Sequence, residues 1–439
     1  RNCSFFHGLL PKSIKLPLCL VYEKYQQERG IMANVVDYLH WRGDLTFEND
    51  PFNNVDNLIL SILSYLGFGG VVPSERSEKR VLLGSACAKM LKKLDDNPSL
   101  ITGFSRVDGT FLEALVNAPR FANIELGRYV DRINVEKNLQ FAAFTAYLPT
   151  GQMFVSFRGT DGTLVGWREN LNLSFQVTSA DKSAALYLEK RIREHLAAGN
   201  STTCANVMVG GHSKGGNLAA YAATVCPEEL LGTIERVWSN DGPNMCPEIL
   251  PTTAHKVLGD KYIRILPEFS VVGMIFDDPA VPKLIVKSSE TGMMAHDGVS
   301  WQVMRDTFEF ADDFQPECKK INEAFSNWYK ELPLSDREHF TNELFDALSA
   351  GGAVYFSDII SSPANLQPVV AALTKTEKQT KEVFFDLLSS LVNASATSLI
   401  ENITESSQIS QLTSAISESF AKLDKAQKEL TKGSPSSDQ

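Results

Sequence analysis

The chain has 439 residues, of which 43% are hydrophobic and 22% charged. That is enough to bury the core of one large α/β domain with an appendage. A formal net charge of −11 sets the molecule against nucleic acid and anionic membrane surfaces, so nucleic acid is not an expected partner. The seven cysteines (Cys3, Cys19, Cys87, Cys204, Cys226, Cys246 and Cys318) form no Cys-x-x-Cys pair, which argues against zinc spacing or a disulfide framework and for reduced structural thiols.

Residues 1–31 carry Lys12 and Lys15 ahead of a short apolar run, Leu16 to Tyr22. This run lacks the long core and small-residue cleavage site of a signal peptide and reads as a leader or extension outside the fold. No apolar run reaches the length of a membrane span, so no transmembrane segment is expected and the default location is the cytoplasm.

From Met32 an amphipathic opening runs to Gly43, and Asn54 or Asp56 is positioned to cap a helix carrying Leu58, Ile59, Ile62, Leu63 and Leu66. Further helices are expected over Arg80 to Leu94 and Gly109 to Asn117. Between Phe141 and Thr160 the pattern turns to β, with Gln140 to Leu148 and Gln152 to Arg158 joined at Pro149-Thr150-Gly151 as a hairpin. The second strand opens into Arg158-Gly159-Thr160-Asp161-Gly162. Thr160 there is a candidate oxyanion donor; the alternative is a plain hairpin-exit loop with Arg158 in a structural salt bridge. A polar helix then runs from Ser179 to Gly199, with His195 on an exposed-looking face.

The stretch on which the functional reading turns is Gly210-Gly211-His212-Ser213-Lys214-Gly215-Gly216-Asn217, set between Val207-Met208-Val209 and Leu218 to Ala223. A β-prone run, a tight turn with glycines flanking a serine and an alanine-rich helix are what a nucleophile elbow needs. Side chains at Gly211 and Gly215 would meet the neighbouring helix and strand, and the helix N-terminus favours negative charge near Ser213. A phosphate-binding loop does not fit, because Lys214 is followed by glycine and the glycines lie too close together.

Three more strands follow: Glu235 to Ser239, Lys261 to Leu266 and Lys283 to Lys287. Each ends in a polar group of a type a triad uses: Asp241, then Glu268, then His296 in a glycine-flanked loop. The order Ser, acid, His is that of an α/β-hydrolase fold with a mostly parallel sheet and helical crossovers. His296 is the expected base. Asp241 is the first candidate for the acid and Glu268 the alternative. His255 and His339 fall at the wrong places, and His212 is expected to point away and hydrogen-bond locally. The amides of Thr160 and Lys214 would form the oxyanion hole. No metal or organic cofactor is required.

The residues Phe157-Arg158-Gly159-Thr160-Asp161 with Gly166-Trp167, and Gly211-His212-Ser213-Lys214-Gly215-Gly216-Asn217, resemble class 3 lipases. More closely, they are similar to an uncharacterised bacterial family of lipase-like α/β-hydrolases, whose pattern also includes Asp241-Gly242-Pro243 and His296-Asp297 ahead of Ser300-Trp301. The resemblance covers about Met32 to Trp301. It implies hydrolysis of esters, acyl lipids first among them, with Ser213 as nucleophile and His296 as base. In one respect the chain departs from it: class 3 lipases place an aspartate where this sequence offers Glu268 or Ser270, whereas pancreatic-type lipases take the acid from the earlier strand, as Asp241 would be.

The hydrolase domain is therefore expected over residues 32–301. A helical subdomain is expected over 302–362, built from Asp306 to Phe314, from Phe325 to Leu332 and from a capping box Ser335-x-x-Glu338, and it is a candidate lid. Over 363–439, apolar positions from Phe384 to Leu430 recur at helical spacing and suggest a helical arm for a protein partner or self-association, ending in a disordered tail. Two classes of function remain open: a serine hydrolase, or a hydrolase-fold scaffold that has lost turnover.

Overall fold

The computed structural model describes residues 32–355 apart from 104, 200–205 and 332, together with 368, 369 and 372. The leader and most of the C-terminal arm lie outside the described residues.

Helix α1 (Val35–Arg42) is closed at its start by Asn34 and Asp37 in a reciprocal capping box and at its end by Gly43. Helix α2 (Asn54–Ile62) begins one residue earlier than expected. Asn53 is its cap, and Asp56 is the third-position partner that bonds back to the Asn53 amide. Every residue of α2 from Val55 to Ile62 is buried, so its polar positions must find partners inside the protein. Asp56 takes the Arg120 guanidinium in a two-point ion pair and the Tyr38 hydroxyl at 2.8 Å.

A short strand β1 (Val81–Leu82) then precedes α3 (Leu83–Asp96), where sequence alone favours helix from Arg80. Helix α4 (Gly109–Asn117) has the expected bounds. Strand β2 (Glu125–Asn134) has no counterpart in the sequence reading. Its pairing slips between Gly127 and Val130 with Arg128 at φ +58°, so the inside–outside alternation that marks a strand is broken. The hairpin of β3 (Leu139–Tyr147) and β4 (Met153–Phe157) forms as expected.

After β4 come α5 (Leu164–Asn172) and α6 (Ser179–Ala197), then β5 (Val207–His212), α7 (Lys214–Thr224), β6 (Ile234–Asn240), β7 (Tyr262–Pro267) and β8 (Leu284–Val286). The eight strands lie side by side in chain order. Strands β1 to β4 pair antiparallel and β4 to β8 parallel. This is the α/β architecture the sequence implies, with helices on both faces of the parallel half.

Alternation along the central strands divides the core. Phe154, Met208 and Trp238 pack with α1 to α4 on one face. Val155, Val209 and Val237 pack with α6 and α7 on the other. His195, expected in solvent, is buried at the end of α6.

Beyond Trp301 the sequence favours helix from Asp306 to Phe314. The structure has instead a hairpin of β9 (Val303–Met304) and β10 (Thr307–Phe308), turned at Arg305 with φ +60°. Helices α8 (Pro316–Glu331) and α9 (Leu334–Leu348) follow. The Ser335–Glu338 box is absent, since α9 is capped by Pro333 without a side-chain bond and Ser335 bonds Asp336. Helix α9 is tied to α5 through Arg168 and Asn342 at 2.5 Å.

Two measurements test this packing. Arg120→Met leaves Asp56 buried without its cation, and is expected to lower unfolding free energy in denaturant titration by about 3–5 kcal/mol; a loss under ~1 kcal/mol would show the pair to be dispensable. Asp181, buried at the N-terminus of α6, has its carboxyl pushed up to about 6, first by burial. The folded protein therefore holds this proton more tightly than the unfolded chain. Its stabilising contribution is complete below the ordinary carboxylate value and is lost as pH rises through about 6. Relative to Asp181→Asn, wild type should become less stable between pH ~4 and ~6, by up to ~3 kcal/mol. A gap in melting temperature that does not vary with pH would refute this.

Candidate active site

The elbow forms because backbone must meet backbone. A Cβ at Gly211 would overlap the main chain of Gly215, and one at Gly215 would overlap the main chain of Phe157 at the end of β4. Ser213, caught between β5 and α7, takes φ +58° and ψ −132°, a region costing a non-glycine residue about 1–3 kcal/mol and found at functional turns. Its amide donates to Asn240 O at 2.9 Å. The side chain of Asn240 is held beneath the turn by Asn57, Ser61 and Gly211 O. Helix α2 thus fixes the elbow from below.

Asp241 follows directly, fully buried and also at positive φ, +46°. Its amide is anchored on Ile265 O of β7 at 2.8 Å. One carboxylate oxygen accepts from the Ser270 hydroxyl and from Gly273 N at 3.1 Å. The other lies 2.5 Å from His296 Nδ1. The acid is therefore saturated with donors and aimed at one imidazole. With Nδ1 engaged, Nε2 is the His296 nitrogen left to exchange a proton.

Glu268 lies one strand further on, and among the described residues no hydrogen bond joins it to His296. Its amide donates to Val286 O at 2.8 Å. Ser270, near the place where class 3 lipases keep their acid, supports Asp241 instead. The carbonyl of Ser270 is in turn bound by Asn322 Nδ2 and Cys318 Sγ of α8, each at 2.9 Å. The helical region after the hydrolase core thus supports the acid from behind, a contact that a freely swinging lid would not make.

His296 sits at the end of a 3-10 turn, Gly292–His296. Trp301 Nε1 holds the loop through Ala295 O at 2.9 Å, and Asp297 binds Val299 N at 3.2 Å and Arg106 N at 3.3 Å. Burial pushes the Asp297 carboxyl up to about 6. His212 does not point away as expected. Its ring lies 4.7 Å from that of His296, with Nε2 2.6 Å from His296 O and Nδ1 3.0 Å from the Tyr65 hydroxyl. Tyr65 carries no motif and reaches the site from 147 residues away, so sequence spacing gave no sign of it.

On the other side of Ser213, Arg158 makes the structural salt bridge of the plain-loop alternative, gripping Asp131 of β2 with two bonds of 2.9 and 2.8 Å. Thr160 is fixed through Asn170, and Asp161 accepts from Thr163 N and Oγ1. Among the described residues, neither the Thr160 amide nor the Lys214 amide donates to a protein acceptor. Both remain free for an anionic oxygen. The Lys214 side chain turns the other way and is buried against Glu169 at 2.9 Å, Gln140 O at 2.9 Å and Gln140 Oε1 at 2.5 Å. That ammonium is committed to the fold and unavailable to a phosphate.

His255 lies on the short helix Ala254–Leu258, and His339 pairs with Glu343 on α9. Clefts of about 650 and 510 Å³ open along β2, lined by residues 69–76 with 129–132 and by Glu78, Lys79, Arg80, Arg128, Tyr147, Glu194, His195, Ala197 and Ala198. Neither borders Ser213 or His296. Among the described residues no group of three or more His, Cys, Asp or Glu side chains could hold a metal ion, and no helix is long and apolar enough to cross a membrane.

Comparison with known proteins bears on the same region. The crystal structure of M37 lipase overlaps 51% of this chain and 69% of its own, at 16% identity and a TM-score of 0.31. Extracellular lipase LipA from Serratia marcescens overlaps 48% of this chain at 17% identity and a TM-score of 0.28. The match spans 38% of LipA's length. No curated protein matches. The Mbeg1-like family matches residues 115–346, a span that contains Ser213, Asp241 and His296 and makes up more than half of the 439 residues, and the chain belongs to that family.

Proposed function

We propose that the protein is a serine hydrolase that cleaves carboxylic esters, acyl lipids foremost, through an acyl-enzyme. The observation that carries the reading is the conjunction at one rim of the sheet: a serine at φ +58° on the elbow, and an imidazole bound through Nδ1 to a buried carboxylate at the end of the next strand. In this mechanism His296 Nε2 takes the proton of Ser213 as Oγ attacks the ester carbonyl. Asp241 holds the ring and stabilises its charged form. The Thr160 and Lys214 amides receive the oxyanion, helped by the N-terminus of α7. His296 then returns the proton to the leaving alcohol, and water releases the acid by the reverse path. Each step uses side chains and amides of this chain, so the reaction as written calls for no cofactor.

The rival is a hydrolase-fold scaffold acting through its C-terminal helices, without turnover. A fluorophosphonate probe separates them: folded wild type should be labelled, and Ser213→Ala should not. Absence of labelling in folded wild type would favour the scaffold. With a p-nitrophenyl ester, Asp241→Asn should lower kcat by ~10³- to 10⁴-fold, while Glu268→Gln should stay within about threefold of wild type; the opposite ranking would make Glu268 the acid. Chain-length-graded esters, thioesters and amides would then distinguish an esterase from a thioesterase or peptidase.

A further inference from the structure

Beside the proposed triad lies a second hydrogen-bonded chain, Tyr65–His212–His296, whose proton positions follow from its geometry. The His296 main-chain oxygen can only accept, so the hydrogen between it and His212 is carried by His212 Nε2, 2.6 Å away. His212 Nδ1 is then a bare acceptor, and the Tyr65 hydroxyl 3.0 Å away must donate to it. Burial, and then the charge of His296, push His212 well below an ordinary histidine, so this ring stays neutral. Tyr65 is itself buried, which raises its phenol and keeps it protonated.

The same phenolic oxygen lies 3.4 Å from the His212 carbonyl oxygen, on the peptide that leads directly into Ser213. Space for the phenol is reserved by glycines. A Cβ at Gly159 would overlap the Tyr65 hydroxyl, and one at Gly103 would come within 3.1 Å of its ring.

We propose that Tyr65 and His212 are positioning residues for the reaction: the phenol braces the His212 ring and the peptide that carries Ser213, and the ring links that peptide to the main chain of His296. The proposal rests on the reading of Ser213 and His296 as nucleophile and base. In the attack the Ser213 O–H bond breaks and its proton goes to His296 Nε2. The Oγ–C bond forms, and the carbonyl electron pair moves to the carbonyl oxygen. Tyr65 keeps its own proton throughout. It holds the peptide that carries Ser213 beforehand and takes no part as a base, which its buried, un-ionised phenol could not be.

The test is Tyr65→Phe, which removes one oxygen, with His212→Gln as a second variant that keeps an N–H donor near the Nε2 position. Rates of fluorophosphonate labelling and of p-nitrophenyl ester hydrolysis are normalised to active-site titre. Tyr65→Phe should lower kcat and the labelling rate about 10- to 100-fold with KM unchanged, and His212→Gln should fall in the same direction by less. Equal rates for wild type and folded Tyr65→Phe would overturn the proposal and leave the serine-hydrolase reading standing. A rise in KM at constant kcat would also overturn it, by making Tyr65 a substrate-binding group. Should Tyr65→Phe not fold, the split between kcat and KM in His212→Gln decides. Unlabelled, inactive wild type would overturn both readings together.

Discussion

The approach of the first turn of α7 to the carboxyl end of β4 is the constraint on which the rest of the site depends. Gly215 rests on the main chain of Phe157, and Gly211 on that of Gly215. These are backbone atoms that no rotamer change can move aside, so the single residue left to make the turn has no extended or helical option. Ser213 is therefore held at φ +58°. Burial of α7 on the core it shares with β5 and β6 offsets that strain. The same contact has a second effect. Phe157 is the last residue of β4 and pairs in register with Gly211, so fixing the elbow against Phe157 also fixes where the Arg158–Thr160 loop leaves the sheet. One packing event thus sets both the elbow and the point where that loop begins.

The proposed acid is placed by a different principle, relay through neighbouring strand ends. Ser213 N bonds Asn240 O, and the next residue is Asp241, whose amide bonds Ile265 O. The serine and the carboxylate thus share a backbone connection two strands wide. From the third strand end comes Ser270, which donates to Asp241 and is itself braced by α8. A site that would hold the carboxylate in class 3 lipases is occupied here by a hydroxyl, and it still serves the carboxylate one strand away.

What the sequence made legible was whatever is encoded over short spans. The elbow requires glycines two residues either side of the serine, the parallel strands are continuous apolar runs, and polar strand ends follow them directly. Contacts set by tertiary packing were not legible. Tyr65 lies on a 3-10 turn, Leu63–Tyr65, far from the elbow in the chain, and nothing local marks its hydroxyl. His212 was expected to face away because strand alternation places neighbours on opposite faces. It occupies the strand's last position, where alternation gives way to the turn and the ring meets His296. Strand β2 escaped detection for the same physical reason that makes it useful, since its bulge breaks the period of two. His195 looked exposed on a polar helix, but that helix packs on the sheet along most of one side.

Lys214 shows how a single position can serve fold and site without conflict. Its amide begins α7 beside Ser213, while its ammonium is carried to the opposite side and sealed against Glu169 and Gln140, joining the elbow to α5 and to the start of β3. In the proposed mechanism, a free lysine next to Ser213 would add a full positive charge near the ring that is to accept a proton, and would oppose the transfer. Paired with a carboxylate at 2.9 Å, with both side chains essentially buried, the lysine presents little net charge to the rim. The field that the proposed oxyanion would feel there would come from oriented amides and the helix N-terminus, which need no reorganisation as charge develops. Burying an ion pair is costly in folding free energy, and at this position it leaves the reacting face to fixed dipoles alone.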